Sequence, residues 1–325
     1  MGIVTPANRS ANNGNWQTAW RWSRLLARDY KTLILNEWRG EAVDVLIALH
    51  ARRSAPSIAA WRQARRAPLA LVLTGTDLYR DIDADASAQT ALQQADRLVV
   101  LQELGPHRLP AAMRARCVVS FQSCASRSAV PKTRQHLRAV MVGHLRDEKA
   151  PQTMFEAAAL LHDRHDIRLD HIGSPLDAAL AEQARATARA HPHYRWLGEL
   201  PHGATRRHIQ HAHVLVHASR IEGGAHVIAE AVRSGTAVIA SRIDGNVGML
   251  GADHPGYFDC DDAGALAALL TRARDEPDML VALERHGALR APLFEPERER
   301  ATLLHLLNDL LNPPASVAVT AAAGT

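Results

Sequence analysis

The chain leaves a short apolar run, Val214-Leu215-Val216, and passes through Ser219, Glu222 and the glycine pair Gly223-Gly224 into a helical pattern that Gly235 stops. A buried strand turning tightly into a helix is half of a βα unit, and chains built from such units fold as parallel sheets covered by helices. Glycine in the turn lets the backbone approach a ligand closely, and the first N–H groups of the helix, here around Ala225 and His226, point at whatever lies above it. The helix macrodipole adds roughly half a positive charge there, so the turn suits an anion. A tight packing turn would look the same. Two carboxylates frame it: Glu222 at the strand's carboxyl end, and Glu230, which stands about two turns along if the helix follows at once.

The same alternation runs through the rest of the chain. Strand-like runs begin at Ile3, Val43, Leu69, Arg97 and Val118, then at Ala139, Ile167, Arg195, Val214 and Ala237, with helical spacing over 16–28, 155–161, 178–190 and 206–210. This predicts an α/β protein with doubly wound parallel sheets. A chain of 325 residues suits two domains of about 150 each. The first is expected over 1–124 and the second over 139–295, joined by a linker over 125–138 where apolar periodicity gives way to Ser, Lys, Arg and a proline. Leu303, Leu304, Leu306, Leu307, Leu310 and Leu311 give a last amphipathic helix over 296–311, and Asn312-Pro313-Pro314 opens a tail, 312–325, expected to be disordered.

Composition excludes several classes. A net charge of +4, from 38 basic and 34 acidic residues without a long basic run, argues against nucleic-acid binding and against a membrane patch. No apolar run has transmembrane length, and the N-terminus lacks a secretory leader pattern, so a cytoplasmic protein without stable membrane insertion is expected. Cys117, Cys124 and Cys260 read as reduced thiols. Eighteen histidines invite a metal, but His191-Pro192-His193 and His211-Ala212-His213 lack ligand spacing, and no metal site is expected. Asp81, Asp83 and Asp85 fit no metal loop and read as surface. Nothing in the chain sets an oligomeric state.

In open α/β sheets ligands collect at the carboxyl ends of strands. Three such ends in the first half carry His50-Ala51-Arg52-Arg53, Thr74-Gly75-Thr76-Asp77 and Gln102. Arg52 and Arg53, with His50, suit an anion because a guanidinium binds phosphate-like oxygens in bidentate fashion, although either arginine can equally be a solvated helix-start residue. Asp77 can orient a ligand, serve as a base or cap the next turn. Gly14-Asn15, between the first strand and first helix, reads either as part of a ligand cleft or as a solvated loop. His226 can meet a phosphate or stand in solvent.

The segment from Ser219 to Ala231, with Ala237-Val238-Ile239-Ala240-Ser241 and Asp244-Gly245-Asn246, resembles the nucleotide-sugar site of GT-B glycosyltransferases of the family-4 type. Gly143-His144-Leu145-Arg146-Asp147-Glu148-Lys149 is the second anchor: Lys149 matches that family's diphosphate lysine, while His144 stands where its arginine is expected and Arg146 offers the charge two residues on. Together with His50 to Ser54, Leu73 to Arg80, Tyr194 to Leu200 and Pro255-Gly256-Tyr257-Phe258, these strings resemble the selenosugar synthases of selenoneine biosynthesis from Ile3 to about Leu310.

The resemblance implies two Rossmann-like domains facing a central cleft, and metal-independent glycosyl transfer that calls for no cofactor. It implies a UDP-sugar donor, with Glu222 at the sugar, the Gly223, Gly224, Ala225 and His226 amides at the phosphates, Glu230 at the ribose, and Ser219, Gly14, Asn15, His144, Arg146 and Lys149 around it. Glu222, Lys149 and Arg146 would carry catalysis. Selenophosphate would be the acceptor, in a pocket of His50, Arg52, Arg53, Thr74, Thr76 and Asp77. A GT-B enzyme with a hydroxyl or lipid acceptor would share the donor half.

Overall fold

The computed structural model describes residues 1–7, 14–65 and 67–312. Its strands form two six-stranded sheets with every pairing parallel. The first holds β1 (Gly2–Val4), β2 (Leu33–Leu35), β3 (Leu46–Leu49), β4 (Leu69–Val72), β5 (Arg97–Val100) and β6 (Cys117–Val119) in the order β2-β1-β3-β4-β5-β6. The second holds β7 (Leu137–Val142), β8 (Ile167–Ile172), β9 (Tyr194–Trp196), β10 (Val214–His217), β11 (Ala237–Ser241) and β12 (Tyr257–Phe258) in the order β12-β11-β10-β7-β8-β9. That second order is the dinucleotide-type winding, in which the strand sequence reverses between β7 and β10.

Strands buried on both faces read as continuous apolar runs, and Leu46 to Leu49 and Leu69 to Val72 are buried throughout. Each sheet carries a core on either side. Trp61, Ile58, Leu71 and Leu98 pack one face of the first sheet, while Ile3, Trp22, Ile47 and Val72 pack the other. Helices start where side chains can receive their orphan N–H groups: Asp85, Asp177 and Asp262 accept from Ala88, Leu180 and Ala265.

The last helix, Pro296–Leu311, has the bounds read from its leucines, and Leu303, Leu306, Leu307 and Leu310 complete the core of the first sheet with Trp22 and Leu26. Its Glu299 is 1% exposed. The carboxylate accepts from Arg21 Nε at 2.9 Å, Trp22 Nε1 at 2.7 Å and the Ser123 backbone N–H at 2.9 Å. Beside it the chain crosses between the sheets: the Cys124 N–H donates to the Phe294 carbonyl, and the Phe121 and Phe294 rings meet edge-on at 5.7 Å.

Several elements differ from the sequence reading at their ends. The first helix is Gly14–Leu25, the short helix read over 206–210 runs His202–His211, and β6 stops at Val119. The tail from 313 onward lies outside the described residues. Cys117, Cys124 and Cys260 are free thiols. Among the described residues no helix is long and apolar enough to cross a membrane.

Candidate functional site

The carboxyl ends of β7 and β10 are neighbours at the switch point of the second sheet, where the two following loops part and leave a crevice. Those loops bring Lys149 and Glu222, 73 residues apart, into an ion pair at Glu222 Oε1. His217, the last residue of β10, puts Nε2 3.4 Å from the same oxygen. Burial alone would raise the Glu222 pKa, but Lys149 and His217 outweigh it and hold the carboxyl well below its usual range. Burial pushes His217 the other way for its charge type, so the imidazole is neutral.

His144 is neutral as well, its pKa lowered by burial and by Arg146 and Lys149. Its Nδ1 accepts from the Ser174 N–H at 3.1 Å, which puts the ring proton on Nε2. The ring thus offers an N–H donor rather than a charge. Arg146 is exposed, 4.0 Å from Glu148, and Glu148 in turn lies 3.7 Å from Arg80 of the first half.

The helix after the glycine turn is His226–Val232, so Glu230 stands about one turn in, not two. Glu230 is buried, and its Oε1 lies 2.6 Å from His202 Nε2, 3.5 Å from His226 Nδ1 and 3.9 Å from Arg206. The His226 side chain does not stand in open solvent: its Nε2 donates to the Ser123 carbonyl at the chain crossing. The Ala225 N–H is engaged by Met249 Sδ at 3.0 Å. Ser219 is buried with an unpartnered hydroxyl, and its carbonyl accepts from Ser241.

The glycine pair serves the contact between the two halves. A Cβ on Gly223 would stand 2.4 Å from the Thr74 carbonyl carbon and 2.6 Å from the Gly75 nitrogen; one on Gly224 would stand 2.6 Å from Leu101 Cβ. The loop after β4 therefore lies directly on the turn.

That loop belongs to the first-half cluster. Asp77 is fully spent as a cap: Oδ1 accepts from the Thr74 and Gly75 N–H groups, and Oδ2 accepts from the Ala51 N–H at the start of the helix Ala51–Ala64. It ties the loops after β3 and β4 together and does not cap the turn that follows it, which has no side-chain cap. His50, at φ 74, is buried, with Nδ1 facing the Arg53 N–H and Nε2 3.2 Å from Thr76 Oγ1. Arg52 reaches Asp81 at 3.0 Å, and Arg53 is exposed with no carboxylate among the described residues on its guanidinium. Asp81 is not surface, as its spacing suggested; it is 5% exposed between Arg52 and Arg80. Gly14 and Asn15 open the first helix, where the Gly14 carbonyl accepts from Thr18.

His217 and His202 had no sequence signal beyond residue type, and Arg80 and Glu148 lay within the resembling strings without a role assigned to them. The string His217-Ala218-Ser219 before the turn could have drawn attention to His217, a titratable residue ending a buried strand. Among the described residues no group of three or more His, Cys, Asp and Glu is arranged for a metal. A cavity of about 440 Å³ is lined by Ile82, Leu92, Arg108 and Met113 and by none of the residues singled out in the sequence as donor or acceptor ligands.

The fold has many solved relatives at low identity. Sucrose-phosphate synthase from Thermosynechococcus elongatus superposes with a TM-score of 0.76 at 16% identity, covering 95% of this chain and 98% of that one. Anabaena Alr3699/HepE, solved with UDP-glucose, gives 0.76 at 12% identity over 95% of this chain and 100% of its own. The match to S. aureus TarM has a TM-score of 0.65 at 14% identity and covers 81% of this chain but only 55% of TarM. No curated protein sequence matches the chain. The two doubly wound sheets are those of the GT-B fold, and residues 125–290, just over half of the chain, match the family described as glycosyl transferases group 1, so the chain belongs to that family.

Proposed function

We propose that the protein is a selenosugar synthase of selenoneine biosynthesis, transferring the sugar of UDP-N-acetylglucosamine or UDP-glucose to selenophosphate without a metal, in the cytoplasm. Selenium attacks the anomeric carbon as the bond to UDP breaks, and water then cleaves the Se–P bond to give the 1-selenosugar and phosphate. The second half, 139–295, holds the donor, and the first, 1–124, holds the acceptor. Lys149, Arg146 and the His144 N–H stabilise the departing diphosphate, Glu222 meets the sugar, and Glu230 meets the ribose.

One observation carries this reading. Among the described residues the acceptor side offers guanidinium groups and leaves neither of its carboxylates free as a base, because both Asp77 oxygens are taken by backbone N–H groups and Asp81 lies between Arg52 and Arg80. A hydroxyl acceptor calls for a carboxylate or histidine base, and His50 is already engaged by the Arg53 N–H and the Thr76 hydroxyl; selenophosphate is an anion whose selenium is already nucleophilic. Arg52 and Arg53 answer that anion's charge.

The test is product analysis by mass spectrometry after incubation with each UDP-sugar, with and without selenophosphate. A selenium-bearing sugar formed only with selenophosphate supports the proposal. Donor consumption with a hydroxyl acceptor and none with selenophosphate would replace it with a conventional GT-B transfer.

A further inference from the structure

Glu222 Oε1 has two suitors on the protein, and among the described residues none donates a hydrogen bond to Oε2. Lys149 Nζ pairs with Oε1, and His217 Nε2 lies 3.4 Å from the same atom. His217 is 2% exposed, and its Nε2 has no hydrogen-bond partner of its own. A buried polar nitrogen left in this way costs free energy unless a second state of the site uses it.

Lys149 has a competing claim on it. On the donor reading above, on which this inference rests, the ammonium is drawn to the diphosphate when the nucleotide sugar binds. Glu222 then loses its cation while the sugar covers it, and burial drives a lone carboxyl towards protonation. We propose that His217 is a positioning residue that takes over Glu222 at that moment, holding Oε1 so that the carboxylate stays ionised and Oε2 faces a hydroxyl of the donor sugar.

The surroundings fit a hand-over. Among the described residues, the charged groups bearing on His217 are Glu222 from the glycine turn and Lys149 from the turn Asp147–Lys149. While Lys149 is present, burial and the ammonium keep the imidazole neutral; once the ammonium leaves, the carboxylate's pull acts alone and strengthens the Nε2–H to Oε1 contact.

Calorimetry with UDP and with UDP-glucose and UDP-N-acetylglucosamine, at pH 8 and pH 6, tests this on wild type and on His217→Phe, His217→Gln, His217→Asn and Glu222→Gln. The Phe variant should lose about tenfold in affinity for the nucleotide sugar and clearly less for UDP, whose diphosphate draws Lys149 away but leaves Glu222 open to water where the sugar would lie; UDP binding also reports that the variant is folded. Gln places an N–H near the Nε2 position and should restore binding; Asn places its amide near Nδ1 and should not. In the Phe variant the sugar nucleotide should bind more weakly still at pH 6, because Glu222 now titrates, whereas wild type stays level. Wild-type behaviour in the Phe variant, equal loss of UDP, or no advantage of Gln over Asn would overturn the assignment; if Phe fails to fold, the Gln and Asn pair decides it. Unchanged sugar-nucleotide binding in Glu222→Gln, or none in wild type, overturns the donor reading itself and the hand-over with it.

Discussion

Gly223 and Thr74 meet backbone to backbone across the cleft, at a separation that leaves no room for even a methyl group on the glycine. Gly223→Ala must push the halves apart or distort the loop after β4, at a cost of about 1–3 kcal/mol. We expect a lower Tm, a larger radius of gyration by small-angle scattering and a loss of turnover; an unchanged scattering curve with full activity would remove the contact from the closed state.

Lys149→Ala leaves Glu222 with His217 alone. Removing a charge that stabilises a departing diphosphate should cost about 100-fold in kcat/KM for the UDP-sugar, with Lys149→Arg recovering part of it. Unaltered steady-state kinetics in the Ala variant would take Lys149 out of the site.

On the proposed function, Arg52→Ala should raise the KM for selenophosphate about tenfold while leaving UDP affinity unchanged, since the guanidinium pairs with Asp81 and makes no contact with Lys149 or Glu222. Equal losses for both ligands would mean that the two clusters form one pocket.

Two buried histidines make stability depend on pH. Burial pushes both His171 and His254 down to about 4 from 6.5. Between those values the unfolded chain binds a proton that the folded one refuses, so stability is full above pH 6.5 and falls as pH drops towards 4. The slope is about 1.4 kcal/mol per pH unit for each ring. Urea midpoints measured from pH 7.5 to 4.5 should fall along that window, and a His254→Gln variant should show a shallower slope than wild type.

Glu299→Ala orphans the Arg21 guanidinium and the Trp22 indole N–H in the core beneath the last helix. Breaking a buried pair in this way costs about 3–5 kcal/mol. Thermal unfolding should move down by several degrees, while Glu299→Gln, which keeps an acceptor for Trp22, should move it less.

The alternation of apolar runs made the two parallel sheets legible, and the leucine spacing from 303 to 311 gave the last helix its bounds, because both depend on local period. Glu222 drew attention because it follows a strand end, and Lys149 only through the family resemblance of its string. What remained hidden depends on partners distant in sequence. Asp77 accepts from Ala51, 26 residues back, and nothing in its own neighbourhood announces a cap serving two loops. Asp81 looked like surface among alternating aspartates, but Arg52, from another helix, pays for its burial. The glycines at 223 and 224 were readable as a place of close approach, but not that the approaching body is the other half of the same molecule. His217 is silent for the same reason: its neighbour Lys149 comes from the end of a different strand.

The polypeptide passes from one sheet to the other near Phe121 to Cys124 and returns near Phe294, and the two passages are bonded side by side. Two adjacent strands of chain make an axle. Any opening of the molecule is then a swing about that line, with displacement growing in proportion to distance from it. The halves can gape but not drift, and each closure brings the same two loops back into register.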